Sequence, residues 1–217
     1  MANLPALSLL ETRVIGVLLE KQHTVPDTYP LTLNALTSGC NQKTSRDPVI
    51  EAAETEVQAA IDHLKSLSVV MESSGGRVMR YAQNLGKVLG IPPQSCALLA
   101  MLFLRGPQTA GELRIHSERL HKFGDILSVE AFLNELAERK EGALVVELAK
   151  APGARETRWA HLLSGDVTPA QAGAQSHAVT PAQAGAQSSD LEELRARVDR
   201  LESELTSLRE IVERLSR

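Results

Sequence analysis

Aromatic residues are scarce: one Trp, two Tyr and three Phe in 217 residues, 3% of the chain. A core without aromatic bulk must be filled by Leu, Val, Ile and Ala, which suits compact helical domains. Cysteine is scarce too. Cys40 and Cys96 are the only two, too few for a disulfide scaffold and in keeping with a reducing compartment. There is no basic excess: 23 Lys and Arg face 27 Asp and Glu, for a net charge of −4. That excludes a protein that clamps nucleic acid with its whole surface. The longest apolar run, near Cys96–Leu104, is too short to span a bilayer. The start, Met1-Ala2-Asn3-Leu4-Pro5, has no basic region followed by an apolar core. A cytoplasmic protein without membrane contact is expected.

The usual signatures of chemistry are missing as well. No phosphate-binding glycine loop, nucleophile elbow or Cys-x-x-Cys pair occurs. The six histidines are scattered. His116 and His121 lie five apart, which does not put two ligands on one helix face, and His63 falls on the exposed side of its predicted helix. Cys40 follows Gly39 at a predicted helix end, where the dipole disfavours a thiolate, so a buried structural thiol is expected. No catalytic residue, metal site or cofactor is predicted, and no enzyme.

What the chain does have is a repeated grammar. From Thr55 to Asn84 an amphipathic helix leads into a short apolar strand, a Gly75-Gly76 turn and a second strand, and the same order returns from Ser128 to Leu162. Ser8 before Glu11, Thr55 before Gln58, Thr109 before Glu112 and Ser189 before Glu192 match capping boxes that open helices. The first helix is expected over Ser8–Gln22, with Leu10, Val14, Val17 and Leu18 inward. A short second helix is expected from Pro30 at N1 to Ser38, stopped by Gly39. The third, Thr55–Ser68, buries Val57, Ile61, Leu64 and Leu67, and strands follow at Val69–Met71 and Val78–Tyr81. In the second unit the helices are Cys96–Leu104, Thr109–His116 and Ser128–Lys140, with strands at Leu144–Leu148 and Thr157–Leu162 around the tip Pro152–Glu156.

Beyond these units the composition changes. Residues 167–176 and 179–188 are the same decapeptide, Val-Thr-Pro-Ala-Gln-Ala-Gly-Ala-Gln-Ser, too poor in large apolar residues to make a core. It reads as a flexible spacer. From Ser189, Leu191, Leu194, Val198, Leu201, Leu205, Leu208, Val212 and Leu215 alternate spacings of three and four, a heptad pattern. With Leu191 at a, every d position is Leu. A parallel pair would then join Asp190 to Arg195, Arg197 to Glu202 and Glu204 to Arg209, all opposite in sign. A homodimer through this helix is expected. The fold class is therefore mainly α with small β-hairpins: tandem winged helix-turn-helix domains over 7–86 and 87–163, a disordered repeat linker over 164–188 and a coiled-coil helix over 189–217.

Charge is best read by segment. Residues 1–86 carry 7 basic against 9 acidic groups, residues 87–163 carry 10 against 9, and residues 164–217 carry 6 against 9. A basic face, where one exists, is local. Lys43 and Arg46 precede the third helix, Arg77 and Arg80 flank the first wing, and Arg114, Arg119 and Lys122 follow the second unit's short helix. These are the candidates for phosphate contact, with Gln58 and Lys65 as candidates to reach base edges. An Arg46 salt bridge or capping role is an equal alternative. Glu56 and Asp62 would face phosphates at a cost, and Glu130, Glu135 and Glu138 on the second unit's third helix are worse for DNA.

Several long motifs resemble one family. Leu9-Leu10-Glu11-Thr12-Arg13-Val14-Ile15-Gly16, Thr28-Tyr29-Pro30-Leu31-Thr32-Leu33-Asn34-Ala35-Leu36 and Cys40-Asn41-Gln42-Lys43-Thr44-Ser45-Arg46-Asp47-Pro48 look like the YceH family of bacterial proteins. So do Arg105–Arg114, Ser117–Leu120 and Arg158–Leu163. The resemblance covers residues 7–163 and extends to the terminal coil; the twin decapeptide departs from it. It implies a tandem winged-helix fold and brings no activity or ligand. Two functions follow as expectations. The first is a DNA-binding, transcription-regulator-like protein whose partner is double-stranded DNA. The second is a protein-interaction scaffold that uses the winged domains and the coil without DNA.

Overall fold

The structure, a computed structural model, describes residues 4–73, 78–150 and 153–165. Residues 166–188 of the expected repeat linker and the heptad positions Leu191 to Leu215 lie outside the described residues, as do Gly75, Gly76, Arg77 and Pro152. Along the described chain run α1 (Leu9–Thr24), a 3-10 turn (Pro26–Thr28), α2 (Leu33–Cys40), α3 (Glu54–Ser66), β1 (Val70–Ser73) and β2 (Arg80–Gln83). Then come α4 (Leu85–Leu89), α5 (Pro93–Arg105), α6 (Ala110–His116), α7 (Ile126–Ala137), β3 (Val145–Glu147) and β4 (Trp159–His161). The chain is mainly helical, with two small antiparallel strand pairs, β1–β2 and β3–β4.

The two halves repeat one another down to single residues. Leu31 precedes α2 and exchanges both backbone hydrogen bonds with Tyr81 of β2; Gln108 precedes α6 and does the same with Trp159 of β4. Each hairpin thus gains a one-residue third strand just before a helix whose cap is threonine, Thr32 or Thr109. The halves meet mainly through α1 and α5. Helix α5 is buried on every side from Ser95 to Leu104, as a helix between two layers must be. At the crossing, a Cβ on Gly16 would stand 3.0 Å from Leu104 Cγ and 3.1 Å from Phe103 Cβ. One continuous apolar cluster runs from Val14 and Leu18 through Ile61 and Leu99 to Leu133 and Trp159. Side-chain and backbone ties reinforce it: Leu7 N–H donates to Leu163 O at 2.7 Å, and the Arg139 guanidinium donates to Leu89 O at 2.8 Å.

Helix starts follow local chemistry, with corrections. Ser8 and Glu11 form the expected reciprocal cap, as do Thr109 and Glu112. Thr55 does not cap α3. The Glu56 carboxylate accepts from Ala53 N–H at 2.8 Å, and the helix begins at Glu54; Ala53 has no side-chain acceptor, so only half the box is made. Ser128 lies inside α7 because Asp125 accepts from its N–H at 2.7 Å and starts the helix two residues earlier. Pro30 does not open α2: Leu31 is held extended by Tyr81, and the helix follows Thr32. Helix α4, closed by Gly90 at φ 64°, was not anticipated.

Gly39 does not stop α2 either. It lies inside the helix, against α1, where a Cβ would fall 2.6 Å from Val17 Cγ1. The missing side chain sets how closely α2 and α1 approach. Gly39→Ala is expected to destabilise the chain by about 1–3 kcal/mol in urea unfolding through overpacking, despite the roughly 1 kcal/mol by which alanine favours a helix. Adding Val17→Ala should recover part of that loss. A neutral single variant would mean that the two helices separate freely.

Candidate functional site

The loop from Asn41 to Ala53 connects α2 to α3 and carries the first expected contacts. It has 13 residues (53 − 40), against about 3–4 in the turn of a helix-turn-helix. It is pinned from below. Asn41 Nδ2 donates to Ala52 O and its Oδ1 accepts from Ala52 N–H, both at 2.8 Å, so one side chain imitates a strand pair. Arg13 has no exposed surface; its guanidinium donates to Cys40 O at 3.3 Å and Pro48 O at 2.7 Å. Burial, then the neighbouring charge of Arg46, lowers the Arg13 pKa. The sequence reading placed Arg13 only within a motif. Its position one residue before Val14 of the inner stripe gave no sign of a buried cation.

Arg46 is a correction to its expected phosphate role. Its side chain is 0% exposed and clasps the Glu20 carboxylate through Nη1 at 3.2 Å and Nη2 at 2.6 Å. Its remaining donors meet Gly39 O, Ser45 O and Gln42 Oε1. A guanidinium so enclosed is not available to phosphate. Burial works against ionisation of Glu20, but hydrogen bonds and charge from Arg46, helped by Lys21, hold its pKa below the usual range. Cys40 is buried beside both arginines, and burial pushes its thiol up to about 12. It is a structural thiol.

The other first-half candidates are engaged locally. Gln58 donates to Asp62 at 3.1 Å and accepts from the Tyr81 hydroxyl at 3.2 Å. Lys65 pairs with Glu72 of β1 and lies 3.7 Å from Asp62. Arg80 donates to Thr28 O at 3.0 Å and Pro30 O at 2.7 Å, bracing the loop before α2. Arg77 lies outside the described residues. Lys43 and Arg80 are exposed and free of ion pairs among the described residues, Arg80 being engaged through Nη1 alone. The exposed face of α3 shows Glu54, Glu56 and Asp62. His63, on that helix, is exposed yet contacts the Glu11 carboxylate through Nδ1.

The second half differs. Arg114, Arg119 and Lys122 are all exposed and make no ion pair among the described residues. Between and beside them stand three exposed apolar side chains: Ile115 at 66%, Ile126 at 44% and Leu127 at 72%. They share one corner. A Cβ on Gly111 would lie 3.9 Å from Ile126 Cδ1, and Ile115 is one turn along α6 from Gly111. The charge of Arg114 also acts on Asp125, the cap of α7; that carboxyl sits below its usual range through the Ser128 hydroxyl and N–H first, and Arg114 last. The sequence reading started this helix at Ser128 and so missed Ile126 and Leu127; an Asp-Ile-Leu-Ser start was the available signal.

The corner has a firm base. His116 Nδ1 faces Gln108 Oε1 at 2.6 Å, and Gln108 Nε2 donates to Met101 O at 3.0 Å on α5. Arg105 approaches His116 Nε2 at 3.4 Å. Burial and then the Arg105 charge lower the His116 pKa, so the neutral ring donates from Nδ1 and accepts at Nε2. Arg158 bridges Pro107 O at 2.7 Å and the Glu112 carboxylate at 3.2 Å, tying β4 to α6.

Among the described residues no three His, Cys, Asp or Glu side chains stand close enough to hold a metal ion, and no helix is long and apolar enough to cross a membrane. Comparison with known proteins matches residues 7–154 to a family described as "Protein of unknown function, DUF480". A UPF0502 protein of Dechloromonas aromatica (strain RCB) is 58% identical over 213 residues, covering 98% of this chain and 97% of the relative. A UPF0502 protein of Burkholderia pseudomallei (strain K96243) is 58% identical over 207 residues, covering 95% and 86%. One from Burkholderia vietnamiensis (strain G4 / LMG 22486) is 56% identical over 211 residues, covering 97% and 88%.

Proposed function

We propose that this chain, which belongs to the DUF480 family of bacterial proteins of unknown function, is a tandem winged-helix protein that docks another protein on its α6–α7 corner. The tandem reading is supported by the repeated order of three helices and a hairpin, and by the matching Leu31–Tyr81 and Gln108–Trp159 bridges. The likeness to the YceH family goes with it and adds no activity. One observation carries the choice of partner. Ile115, Ile126 and Leu127 form an exposed apolar group near Arg114, with Arg119 and Lys122 in the α6–α7 connection, and these three charges meet no carboxylate at ion-pair distance among the described residues. Exposed apolar side chains gathered at one place mark protein contacts, and unpaired cations around them favour an acidic flank. The occupant is an amphipathic protein segment with an apolar anchor and Asp or Glu beside it. A cytoplasmic setting, pairing of two copies through the Leu191–Leu215 heptads and the absence of catalysis belong to the same proposal.

Double-stranded DNA is the weaker reading for this geometry. Arg46, Gln58 and Lys65 are engaged internally, and α3 exposes Glu54, Glu56 and Asp62. It keeps Lys43, Arg80, Arg114, Arg119 and Lys122, all exposed. A photo-crosslinker at Leu127 of the full chain, activated in cells and followed by mass spectrometry, separates the two. The expected product is one protein crosslinked through an acidic, apolar segment, and it should disappear in Ile115→Asp. Crosslinks to nucleic acid, or binding to duplex DNA with a salt slope that Arg114→Ala and Arg119→Ala reduce, would replace this proposal with the DNA reading. Crosslinks unaffected by Ile115→Asp would remove the corner as the site.

A further inference from the structure

We infer that the groove bounded by the end of α1, the first hairpin and the α4–α5 link binds a small amphipathic molecule with an apolar tail and a single anionic head. The groove encloses about 560 Å³, within the ~300–1,000 Å³ typical of small-molecule sites. Its apolar lining comes from distant parts of the chain: Leu19 of α1, Ile91 of the α4–α5 link, Ala97 of α5 and Leu120 after α6. Both halves therefore contribute. Gly86 keeps α4 close to α5, since a Cβ there would press within 3.1 Å of Cys96 Sγ and 3.3 Å of Ile91 O. Met71 stands at the groove 52% exposed, a flexible apolar side chain able to fold over a tail.

The polar lining has one sign. None of its residues is Asp or Glu. Lys87 is exposed and makes no ion pair among the described residues. Gln22 accepts from Gln83 Nε2 at 2.7 Å, and its own amide donates to no protein atom among the described residues. An ammonium and an amide donor beside an apolar floor, with no carboxylate to compete, complement an anion and oppose a cation. A fatty-acid-like carboxylate has that chemistry. Cys96 lies in the lining, and burial pushes its thiol up to about 11, so the thiol is protonated at neutral pH and the site is one of reversible binding.

The test uses the full chain and three probes. The anionic dye anilinonaphthalene sulfonate should brighten on mixing with the protein. Decanoate should displace it at least tenfold more effectively than decanol. Lys87→Glu should weaken decanoate at least tenfold while decanol stays unchanged, and Lys87 is exposed enough for the variant to fold. Equal potency of acid and alcohol, or dye binding indifferent to Lys87→Glu, would overturn the inference. Ile115→Asp should leave displacement unchanged, so failure here is distinguishable from failure of the protein-docking proposal.

Discussion

Arg46→Ala is expected to lower the unfolding free energy by about 3–5 kcal/mol, the usual cost of removing one partner from a buried ion pair. Arg46 has no exposed side-chain surface, and Glu20 is 15% exposed. Without the guanidinium, the Glu20 carboxylate keeps only the partly exposed Lys21 at 3.3 Å in a half-sealed site, and Gly39 O and Ser45 O lose donors. Arg13 cannot take over, because its guanidinium is committed to Cys40 O and Pro48 O. Urea unfolding at neutral pH measures the loss. Replacing both partners, Arg46→Met with Glu20→Met, should recover most of it, because no buried charge remains and Lys21, 24% exposed, reaches solvent. A loss under about 1 kcal/mol in Arg46→Ala would put the pair in the class of exposed salt bridges. Protonating Glu20 weakens the same contact. Its folded pKa is lowered, so its contribution is complete above the ordinary glutamate range and is lost as pH falls through the lower folded value.

His161 is expected to make the fold acid-labile over a higher window. Its ring packs edge-on against Phe103 at 4.9 Å between centroids, and Nδ1 is buried without a hydrogen-bond partner among the described residues. Burial lowers its pKa from 6.5 to about 4. The unfolded chain therefore takes up a proton between those values while the folded chain does not. Stability is complete above pH 6.5 and falls as pH drops toward about 4. Across that span the loss amounts to about 3 kcal/mol, at roughly 1.4 kcal/mol per pKa unit. His116 acts in the same direction through its own lowered pKa. His161→Phe keeps an aromatic ring against Phe103 and removes the titration. Its stability should vary by at least 2 kcal/mol less than that of the unaltered chain between pH 7 and 4, on the order set by the same linkage. Equal slopes in both proteins would show that the folded ring protonates freely.

The order of elements, α4 excepted, is written in local sequence signals. A hydroxyl cap with glutamate three residues on is a local signal, and at Ser8 and Thr109 it marked helix starts correctly because both partners lie within one turn. The stripes Val57-Ile61-Leu64 and Val129-Leu133-Leu136 are local too, and all six residues are buried. Both strand pairs are legible in outline, but β1 runs Val70–Ser73 and β2 begins at Arg80, two residues after the expected Val78. The Thr55 and Ser128 starts lost to local rivals, Glu56 on Ala53 N–H and Asp125 on Ser128 N–H, and the third failed because a distant residue intervened. Pro30 looks like an N1 proline until Tyr81, far along the chain, holds Leu31 extended.

Tertiary structure alone decided which polar side chains remain available for function. Periodicity sorts residues into faces, but it does not say which cation finds a carboxylate. Arg46 meets Glu20 from 26 residues away, and Arg80 meets Pro30 O from 50. Both are reasonable phosphate candidates on local grounds; folding encloses Arg46, while Arg80 is held through Nη1 alone and stays exposed. Arg13 is buried because two backbone carbonyls, Cys40 O at the end of α2 and Pro48 O in the loop after it, accept its hydrogen bonds; no feature of its own helix announces them. Conversely, Ile115 and Leu127 are apolar enough to be buried yet remain at the surface, because the second-half core is filled from the other faces of α6 and α7 by Leu113, Val129 and Leu133. A side chain's type is written in the chain, whereas its solvation depends on what long-range packing brings beside it.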